Sequence, residues 1–327
     1  MESTKRCEEI DWLRGFAIFL VVLGHAIIVF PINLHEVPWC EFLFEVISLF
    51  HMALFFAISG YCYSMREGYR AYLIKKFKRL MIPYFVFAFG GIIPRLLLPS
   101  MVNGVEPIGE SITKILFHGG DYWFLYTLFV LFLVFPFVEE RIKHSDRILA
   151  FACIVVMSII SKYVPNWFCI GSVMWYMPFF CFGYFARENN VFLREKIHPQ
   201  MYEHKEWSTV IAIVALLFCG YVHGKIDSRI IMLVGAFSGV IVCGLVAFIM
   251  PTILKSFERY SKYSLAIYVF NGYWLVISRM LAVKVLGITS PAVIICINMV
   301  FDFYISYILI KYVLSKIQVV RIIIGVQ

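Results

Sequence analysis

Apolar residues run along this chain in long stretches, separated by short connections that carry most of the charge. An apolar helix needs about 20 residues to cross a bilayer. Ten stretches approach or exceed that length: residues 12–31, 42–64, 82–99, 121–138, 147–164, 169–187, 208–223, 230–254, 263–283 and 290–314. The pattern predicts an all-α, polytopic integral membrane bundle of about ten transmembrane helices.

The composition supports a membrane protein, since 61% of the residues are hydrophobic and the mean hydropathy is +0.84. The longest polar connections, near 100–120 and 188–207, are too short to fold independently. The first stretch is too long for a cleavable signal peptide, and no small-residue cleavage site follows it. We expect residues 1–327 to form a single transmembrane domain with no attached soluble domain.

Lysine and arginine are distributed unequally between the two sides of this topology. Twenty of the 29 fall on the side of the termini, and five fall on the other side: Lys114, Lys162, Lys225, Arg229 and Lys284. The positive-inside rule then predicts that both termini are cytoplasmic. The net charge of +8 therefore reflects topology and candidate phosphate ligands, and it does not indicate a nucleic-acid surface.

Nine cysteines are scattered, mostly within apolar stretches, without a CxxC pair or a Cys/His cluster at metal-ligand spacing. We expect free, largely buried thiols and no metal site.

Arg14 and His25 stand in the first apolar stretch, where ionisable side chains are costly and are functional candidates by default. Their separation of eleven residues gives about 16 Å of rise and a net rotation of about 20°, so both lie on one helix face. Arg14 is a candidate ligand for phosphate or carbonyl oxygen, and His25 is a candidate general base. The alternatives are a snorkelling anchor for Arg14 and an interhelical hydrogen bond for His25.

Two further residues lie near this pair in predicted depth or position. His51 on the second stretch lies about 20 Å from the same membrane edge as His25, so the two histidines can line one tunnel; a purely structural role for His51 is the alternative. Asp11, three residues before Arg14, either orients the guanidinium or forms an interfacial ion pair.

Lys76 and Arg79 are three residues apart at the predicted cytoplasmic mouth, where they are candidate ligands for the phosphates of a coenzyme. The positive-inside rule alone also explains basic residues there. Nearby, Ser59 and Gly60 either end or kink the second helix, or permit close packing.

On the opposite side, Glu45, Asp121, Tyr122 and Trp123 share a predicted depth and form a candidate carbohydrate site of carboxylates and aromatic rings. Interfacial enrichment of Trp and Tyr is the alternative. Arg95 and Arg279, within or near spans, are candidates for oxyanion or acceptor contacts, or for pairing with Asp302 or Glu45.

Several segments resemble the acyltransferase 3 family of polytopic membrane O-acyltransferases. Arg14 and His25 in DWLRGFAIFLVVLGH match its Arg-x10-His motif, and other segments follow in the family's order: FHMALFFAISGY (Phe50 to Tyr61), KKFKRLMIPY (Lys75 to Tyr84) as the basic juncture before the third helix, DYWFLYTLF, PFFCFGYFAR and YSLAIYVFN. The resemblance runs from about residue 8 to beyond 270. One departure is Asn271, where many members have His or another polar residue, so no catalytic role is carried over there.

The resemblance implies transfer of an acyl group, usually acetyl from cytoplasmic acetyl-CoA, to a hydroxyl of a cell-envelope or exported glycan. Acetyl-CoA is then a co-substrate, and no tightly bound cofactor is expected. The implied partners are acyl-CoA, a carbohydrate or lipid-linked glycan acceptor and membrane lipids. The implied location is the inner membrane of a bacterium. His25 acts as base or transient acyl carrier, and succinyl or another short acyl group stays an alternative to acetyl.

Two other functions are compatible with the pattern. A transporter or flippase of lipid-linked sugars is also a basic, aromatic-rich bundle, although such proteins more often show internal repeats and several charged residues at mid-membrane. A non-enzymatic sensor or assembly protein is the other alternative, but such a function does not explain the Arg14–His25 pair.

The predicted topology can be tested with a cysteine placed in the 31–41 connection of a background without reactive native thiols. We expect a membrane-impermeant maleimide to label it from outside the cell. Labelling only after permeabilisation would invert the topology.

Overall fold

Helices form all the regular secondary structure in the described residues of the computed structural model, which are 7–28, 33–66, 68–97, 106–144, 146–189, 205–249 and 251–326. The α-helices are α1 (Glu8–Ile28), α2 (Pro38–Tyr61), α3 (Tyr69–Gly90), α4 (Ile92–Leu97), α5 (Ile108–Thr113), α6 (Trp123–His144), α7 (Arg147–Ile160), α8 (Ile170–Glu188), α9 (Lys205–His223), α10 (Arg229–Ile249), α11 (Pro251–Lys255), α12 (Glu258–Ser261), α13 (Ser264–Phe270), α14 (Tyr273–Met280), α15 (Pro291–Asn298), α16 (Ser306–Tyr312) and α17 (Gln318–Ile323).

Within the described residues, seven helical segments are long and apolar enough to cross a membrane, and an eighth qualifies if α13 and α14 are taken as one bent span. The seven are Glu8–Ile28, Pro38–Tyr61, Tyr69–Leu97, Ile108–His144, Trp167–Glu188, Arg229–Ala247 and Pro291–Lys316. The chain is therefore an all-α, multi-pass membrane protein, as predicted. Helix α7, with 14 residues, and the apolar part of α9, Thr209–His223, are shorter, so the count of ten spans stays a prediction.

The third span begins earlier than its hydropathy indicates. Helix α3 starts at Tyr69, so the predicted start at residue 82 is wrong, and the basic segment Lys75–Tyr84 lies on the helix instead of before it. Lys and Arg are good helix formers, and their long side chains allow a charged turn to continue an apolar helix. Lys76 and Arg79 are consequently held by a regular helix.

Helix α2 is the centre of the bundle and packs against α1, α8, α9 and α10. Two glycines permit its closest approach: a Cβ on Gly60 would lie 1.9 Å from the carbonyl oxygen of Phe180, and one on Gly183 would lie 1.8 Å from that of Ala57. Since α2 continues through Ser59 and Gly60 to Tyr61, close packing explains this pair of small residues, and a helix end does not.

A third glycine brings α1 against the segment before α12. A Cβ on Gly15 would lie 2.0 Å from the carbonyl oxygen of Phe257, so only glycine fits there. The close approach places Arg14, the preceding residue, beside Ser261 at the end of α12.

The span formed by α13 and α14 is broken at Asn271 and Gly272, where the helix axis bends by 54°. Gly272 adopts φ +100°, a left-handed conformation that side chains disfavour. The Asn271 N–H still donates to the Ile267 carbonyl at 2.9 Å and ends α13. The predicted stretch 263–283 is thus one span in sequence but two helices in structure.

Both described ends of the chain lie at one end of the bundle, which we call the Arg14 end. Asp11 in the first turn of α1 accepts from Ser261, and Gly325 lies against Leu265 and the Arg79 carbonyl oxygen. We call the other end, where α2 begins, the Glu45 end. Which of the two faces the cytoplasm stays a prediction from the charge distribution.

Replacing Gly60 with alanine tests the central packing. We expect Gly60→Ala to lower the free energy of unfolding in detergent by at least about 1–3 kcal/mol, because backbone atoms of α8 must move away. The measurement is the midpoint of thermal unfolding.

Gly244→Ala is the matched control, since Gly244 lies within α10 and a Cβ there would have no neighbour within 4 Å. Alanine there should be neutral or stabilising by up to about 1 kcal/mol. Equal midpoints for the two variants would contradict the close α2–α8 contact.

Candidate functional site

A cavity of about 130 Å³ opens at the Arg14 end between α1, α2, α3, α6 and α13. We call it the Arg14 cavity. Its walls combine cations, small polar groups and apolar side chains: Arg14, Met52, Phe55, Ser59, Cys62, Lys76, Arg79, Leu80, Phe124, Leu128, Phe132, Ser264, Leu265 and Tyr268. It therefore gathers three of the predicted site residues from two helices.

The three cations, Arg14, Lys76 and Arg79, give the cavity a positive potential. No carboxylate occurs among the described residues that line it. The Lys76 ammonium lies 3.8 Å from the centroid of the Phe132 ring, a cation–π contact that holds its stem along the wall. A cationic mouth above apolar walls suits an anionic group attached to a less polar chain.

Arg14 is held by contacts with its own helix α1, with α12 and with the residue that follows α2. Its Nη1 lies 3.4 Å from the Asp11 carboxylate and 3.5 Å from the Ser261 hydroxyl, and its Nη2 lies 3.2 Å from the Cys62 sulfur. Ser261 donates to Asp11 at 2.7 Å. Asp11 is buried, so its contact with Arg14 is not an exposed ion pair at the membrane interface. The contact fixes the guanidinium of Arg14, whose side chain remains 24% exposed.

The contact between Arg14 and Cys62 also sets the register of α1 against α2. His25 lies eleven residues beyond Arg14, and His51 lies eleven residues before Cys62 on the antiparallel helix. Both histidines are therefore about 16 Å from this contact along the bundle. The geometry agrees with the equal depth expected from the sequence.

Both imidazoles are oriented by a backbone carbonyl one turn earlier. His25 Nδ1 lies 2.9 Å from the Val21 oxygen, and His51 Nδ1 lies 2.7 Å from the Ile47 oxygen. A carbonyl only accepts hydrogen bonds, so each Nδ1 carries the proton and each Nε2 retains a lone pair in the neutral ring.

Neither histidine belongs to the residues that line the Arg14 cavity. Met52 does line it, next to His51 in the chain, and Phe55 lies one turn from His51 toward the Arg14 end. The cavity thus extends from the level of Arg14 to within one residue of the level of His51. Arg14 and His25 occupy the same face of α1, as their spacing predicts.

At the Glu45 end, one carboxylate joins two histidines from distant parts of the chain. Glu45 Oε1 lies 3.4 Å from His35 Nε2, and Glu45 Oε2 accepts from His223 Nδ1 at the end of α9. The Glu45 side chain is 14% exposed. This cluster holds the α1–α2 connection against α9 and leaves His223 Nε2 free in the neutral ring.

The other three predicted carbohydrate ligands lie in different surroundings, and the Tyr122 hydroxyl donates to the Val269 carbonyl at 3.1 Å. Arg95 donates to Asp121, which is exposed, while Trp123 stacks on Tyr176 with 5.6 Å between ring centroids. In the described part of the chain, no hydrogen bond or ion pair links Glu45 to Asp121 or Trp123. The structure therefore does not join Glu45, Asp121 and Trp123 in one contact cluster.

The predicted partners of Arg95 and Arg279 are wrong. Arg95 pairs with Asp121, and the buried Arg279 donates to the Ala26 carbonyl. With the Asn298 amide in the orientation that satisfies its neighbours, its oxygen also accepts from Arg279 Nε and Nη2, at 3.1 and 2.9 Å. Neutral oxygens from α1 and α15 thus accept hydrogen bonds from Arg279, whereas the Asp302 carboxylate has no hydrogen-bond partner among the described residues.

Sequence reasoning missed five residues of these two regions: Cys62, Ser261, Tyr268, His35 and His223. Two of them carried a usable signal. Cys62 follows Ser59 by three residues and so shares its helix face, and Tyr268 lies inside YSLAIYVFN, already singled out. The contacts of Ser261, His35 and His223 cross long sequence separations, for which the sequence holds no local signal.

Comparison with known proteins gives a family match. The family model described as "Acyltransferase domain" matches residues 8–311. The nodulation protein NolL of Mesorhizobium japonicum is 26% identical over 196 residues, covering 57% of this chain and 50% of NolL. The NolL of Sinorhizobium fredii is 30% identical over 196 residues, covering 57% and 51%. The match thus spans about half the length of these curated relatives. No solved structure matches the chain.

Proposed function

The chain belongs to the acyltransferase 3 family, and from this premise we propose that it is a membrane-bound O-acyltransferase. It moves acetyl from cytoplasmic acetyl-CoA to a hydroxyl of a cell-envelope or exported glycan. The observation that carries the proposal is the Arg14 cavity, which joins a cationic mouth to apolar walls. The helix that bears His25 contributes Arg14 to the mouth, and the helix that bears His51 contributes Met52 and Phe55 to the walls.

The donor enters at the Arg14 end. Arg14, Lys76 and Arg79 contact the phosphates or the thioester carbonyl, and Arg14 supplies a planar fork of donors that a lysine lacks. Phe55, Phe124 and the other apolar side chains line the path of the less polar pantetheine arm. Low polarity along this path strengthens each charge–phosphate contact.

His25 removes the proton of the acceptor hydroxyl through its free Nε2. The hydroxyl oxygen then attacks the thioester carbonyl carbon, the carbon–sulfur bond breaks, and the proton passes from His25 to the departing thiolate. In the variant with a transient acyl carrier, His25 Nε2 attacks the thioester carbonyl carbon, the carbon–sulfur bond breaks and CoA leaves as the thiolate. The acceptor hydroxyl oxygen then attacks the acetyl carbon, the carbon–Nε2 bond breaks, and the hydroxyl proton passes to the CoA thiolate. In either case His51, at the same depth, shares the proton with His25 or lines the same tunnel.

The acceptor glycan approaches from the Glu45 end. Glu45, Asp121 and Trp123 remain proposed contacts for sugar hydroxyls and ring faces, and His35 and His223 add two imidazoles beside Glu45. With cytoplasmic termini, the Arg14 cavity faces the compartment that contains CoA. The protein then resides in the inner membrane of a bacterium.

One observation favours the second candidate, a transporter or flippase of lipid-linked sugars. The span of α13 and α14 is broken at Asn271 and Gly272, and broken helices form the substrate sites of many transporters. The family membership favours acyl transfer over this alternative.

Replacing His25 tests the reaction directly. With membrane vesicles of known orientation, acetyl-labelled CoA and host glycan, we expect His25→Ala to lower labelling of the glycan by about 10²–10⁴-fold, the usual contribution of a general base. Membrane insertion and thermal unfolding should stay unchanged.

His144→Ala is the control, because His144 is exposed at the end of α6. We expect it to label glycan like the wild type. Normal turnover in His25→Ala would remove this histidine from the mechanism. Movement of a lipid-linked sugar without acetyl transfer would support the second candidate.

Cys62 provides a test of donor binding that needs no turnover. Its exposed thiol lines the Arg14 cavity, so a water-soluble maleimide should alkylate it, and acetyl-CoA should slow the reaction. In Arg14→Lys, the acetyl-CoA concentration needed for the same protection should rise about tenfold, because lysine lacks the planar set of N–H donors of the guanidinium.

A cysteine introduced by His144→Cys serves as the internal control, since position 144 is exposed at the end of α6 and lies outside the cavity. Its modification should not respond to acetyl-CoA. If acetyl-CoA fails to protect Cys62 in the folded wild-type protein, the donor binds elsewhere.

A further inference from the structure

A second concave surface lies at the Arg14 end, formed by the start of α13 and by the C-terminal segments from α16 to α17. Its volume is about 450 Å³, within the range of about 300–1,000 Å³ that small-molecule sites occupy. We call it the Lys316 pocket. It is lined by Lys262, Tyr263, Lys311, Tyr312, Ser315, Lys316, Arg321 and Val326.

Four of these eight residues are cations, and no carboxylate lines the pocket among the residues that the structure describes. Lys311 donates to the Tyr307 hydroxyl at 3.0 Å and also to the Tyr312 hydroxyl, which leaves one of its three ammonium hydrogens for another acceptor. Lys262, Lys316 and Arg321 are exposed and form no salt bridge within the described ranges. Four uncompensated cations around one hollow require an anion of more than one charge or a cluster of anions.

The rim of the Lys316 pocket is apolar and exposed. Tyr312 is 61% exposed, Val319 67% and Ile322 50%, and they flank the cations on the last two helices. In a multi-pass membrane protein, such side chains at the end of a span contact acyl chains and the headgroup boundary. The ligand that satisfies both features carries phosphate on an apolar body.

A wall separates this pocket from the Arg14 cavity. Lys262 and Tyr263 face the Lys316 pocket, whereas the next two residues, Ser264 and Leu265, line the Arg14 cavity. Behind them, Gly325 lies against Leu265 and the Arg79 carbonyl, and the buried Val326 closes the pocket floor. The cations of the Lys316 pocket therefore face away from the proposed donor path.

We propose that the Lys316 pocket binds the headgroup of an anionic phospholipid, with the phosphate among Lys262, Lys311, Lys316 and Arg321 and the acyl chains along the apolar rim. Basic pockets at the ends of membrane helices bind such headgroups in this way. The site is independent of acyl transfer, and it anchors the C-terminal segment against α13, whose first turn forms part of the Arg14 cavity.

The experiment is a titration of the purified protein in neutral detergent with phosphatidylglycerol, followed by native mass spectrometry. We expect the double variant Lys316→Gln with Arg321→Gln to bind about 30-fold more weakly than the wild type, from about fivefold for each cation. The matched control is Arg70→Gln with Lys78→Gln, which removes one Arg and one Lys from exposed positions of α3 at the same end. The control should bind like the wild type.

Two further arms identify the ligand. Phosphatidylethanolamine, which has no net charge, should bind weakly, and neither inorganic phosphate nor acetyl-CoA should displace phosphatidylglycerol. Displacement by acetyl-CoA would make the pocket part of a soluble phosphate site and overturn the proposal. Equal weakening in both double variants, or none in the pocket variant, would also overturn it.

Thermal unfolding checks that each variant is folded before titration. If the pocket double variant unfolds, the single variant Arg321→Gln replaces it, with an expected weakening of about fivefold. Because the readout is lipid binding, an inactive acyltransferase does not affect the result.

Discussion

The arrangement of this protein depends on helices that touch through their backbones. At Gly60, Gly183 and Gly15 no Cβ fits, so α2 meets α8, and α1 meets the segment before α12, at the shortest possible separation. In a bilayer there is little hydrophobic drive between helices, and close contact through small residues supplies much of their association. Because α2 is central, this contact also fixes one wall of the Arg14 cavity. The chemistry of the site therefore rests on packing as much as on its charged residues.

A second feature is that four ionisable side chains of the bundle, Arg14, His25, His51 and Arg279, are each held by a nearby neutral or charged partner. Arg14 has Asp11 and Ser261, the two deep histidines have carbonyls of their own helices, and Arg279 has Asn298 and a carbonyl of α1. These partners restrict the rings and guanidinium groups to single orientations without neutralising every lone pair. A reactive nitrogen can thus be kept in an apolar interior at a moderate cost.

The sequence predicted the fold class, the family and the shared face of Arg14 and His25, because each depends on periodicity or on a local motif. It also predicted the equal depth of His25 and His51, which follows from helix rise alone. It failed at α3, where hydropathy falls but helix propensity does not, and at the partners of Arg95 and Arg279. It gave no sign of the contacts of Ser261, His35 and His223, since these arise only when distant helices are brought together. Asp302, expected as a partner for an arginine, has no hydrogen-bond partner in the described part of the chain.

The shortness of α7 and of the apolar part of α9 has a consequence for the surrounding lipid. In the ten-span interpretation both helices cross the membrane, yet 14 residues rise only about 21 Å, against a hydrocarbon layer of about 30 Å. Such hydrophobic mismatch is relieved by local thinning of the bilayer, at a fraction of a kcal/mol per Å. Phe151 of α7 contacts Phe237 of α10, so the short helix packs on the α10 side of the bundle. In the ten-span interpretation the hydrocarbon layer is therefore thinner beside this helix than around the longer spans, and lipids with shorter acyl chains match the protein best there.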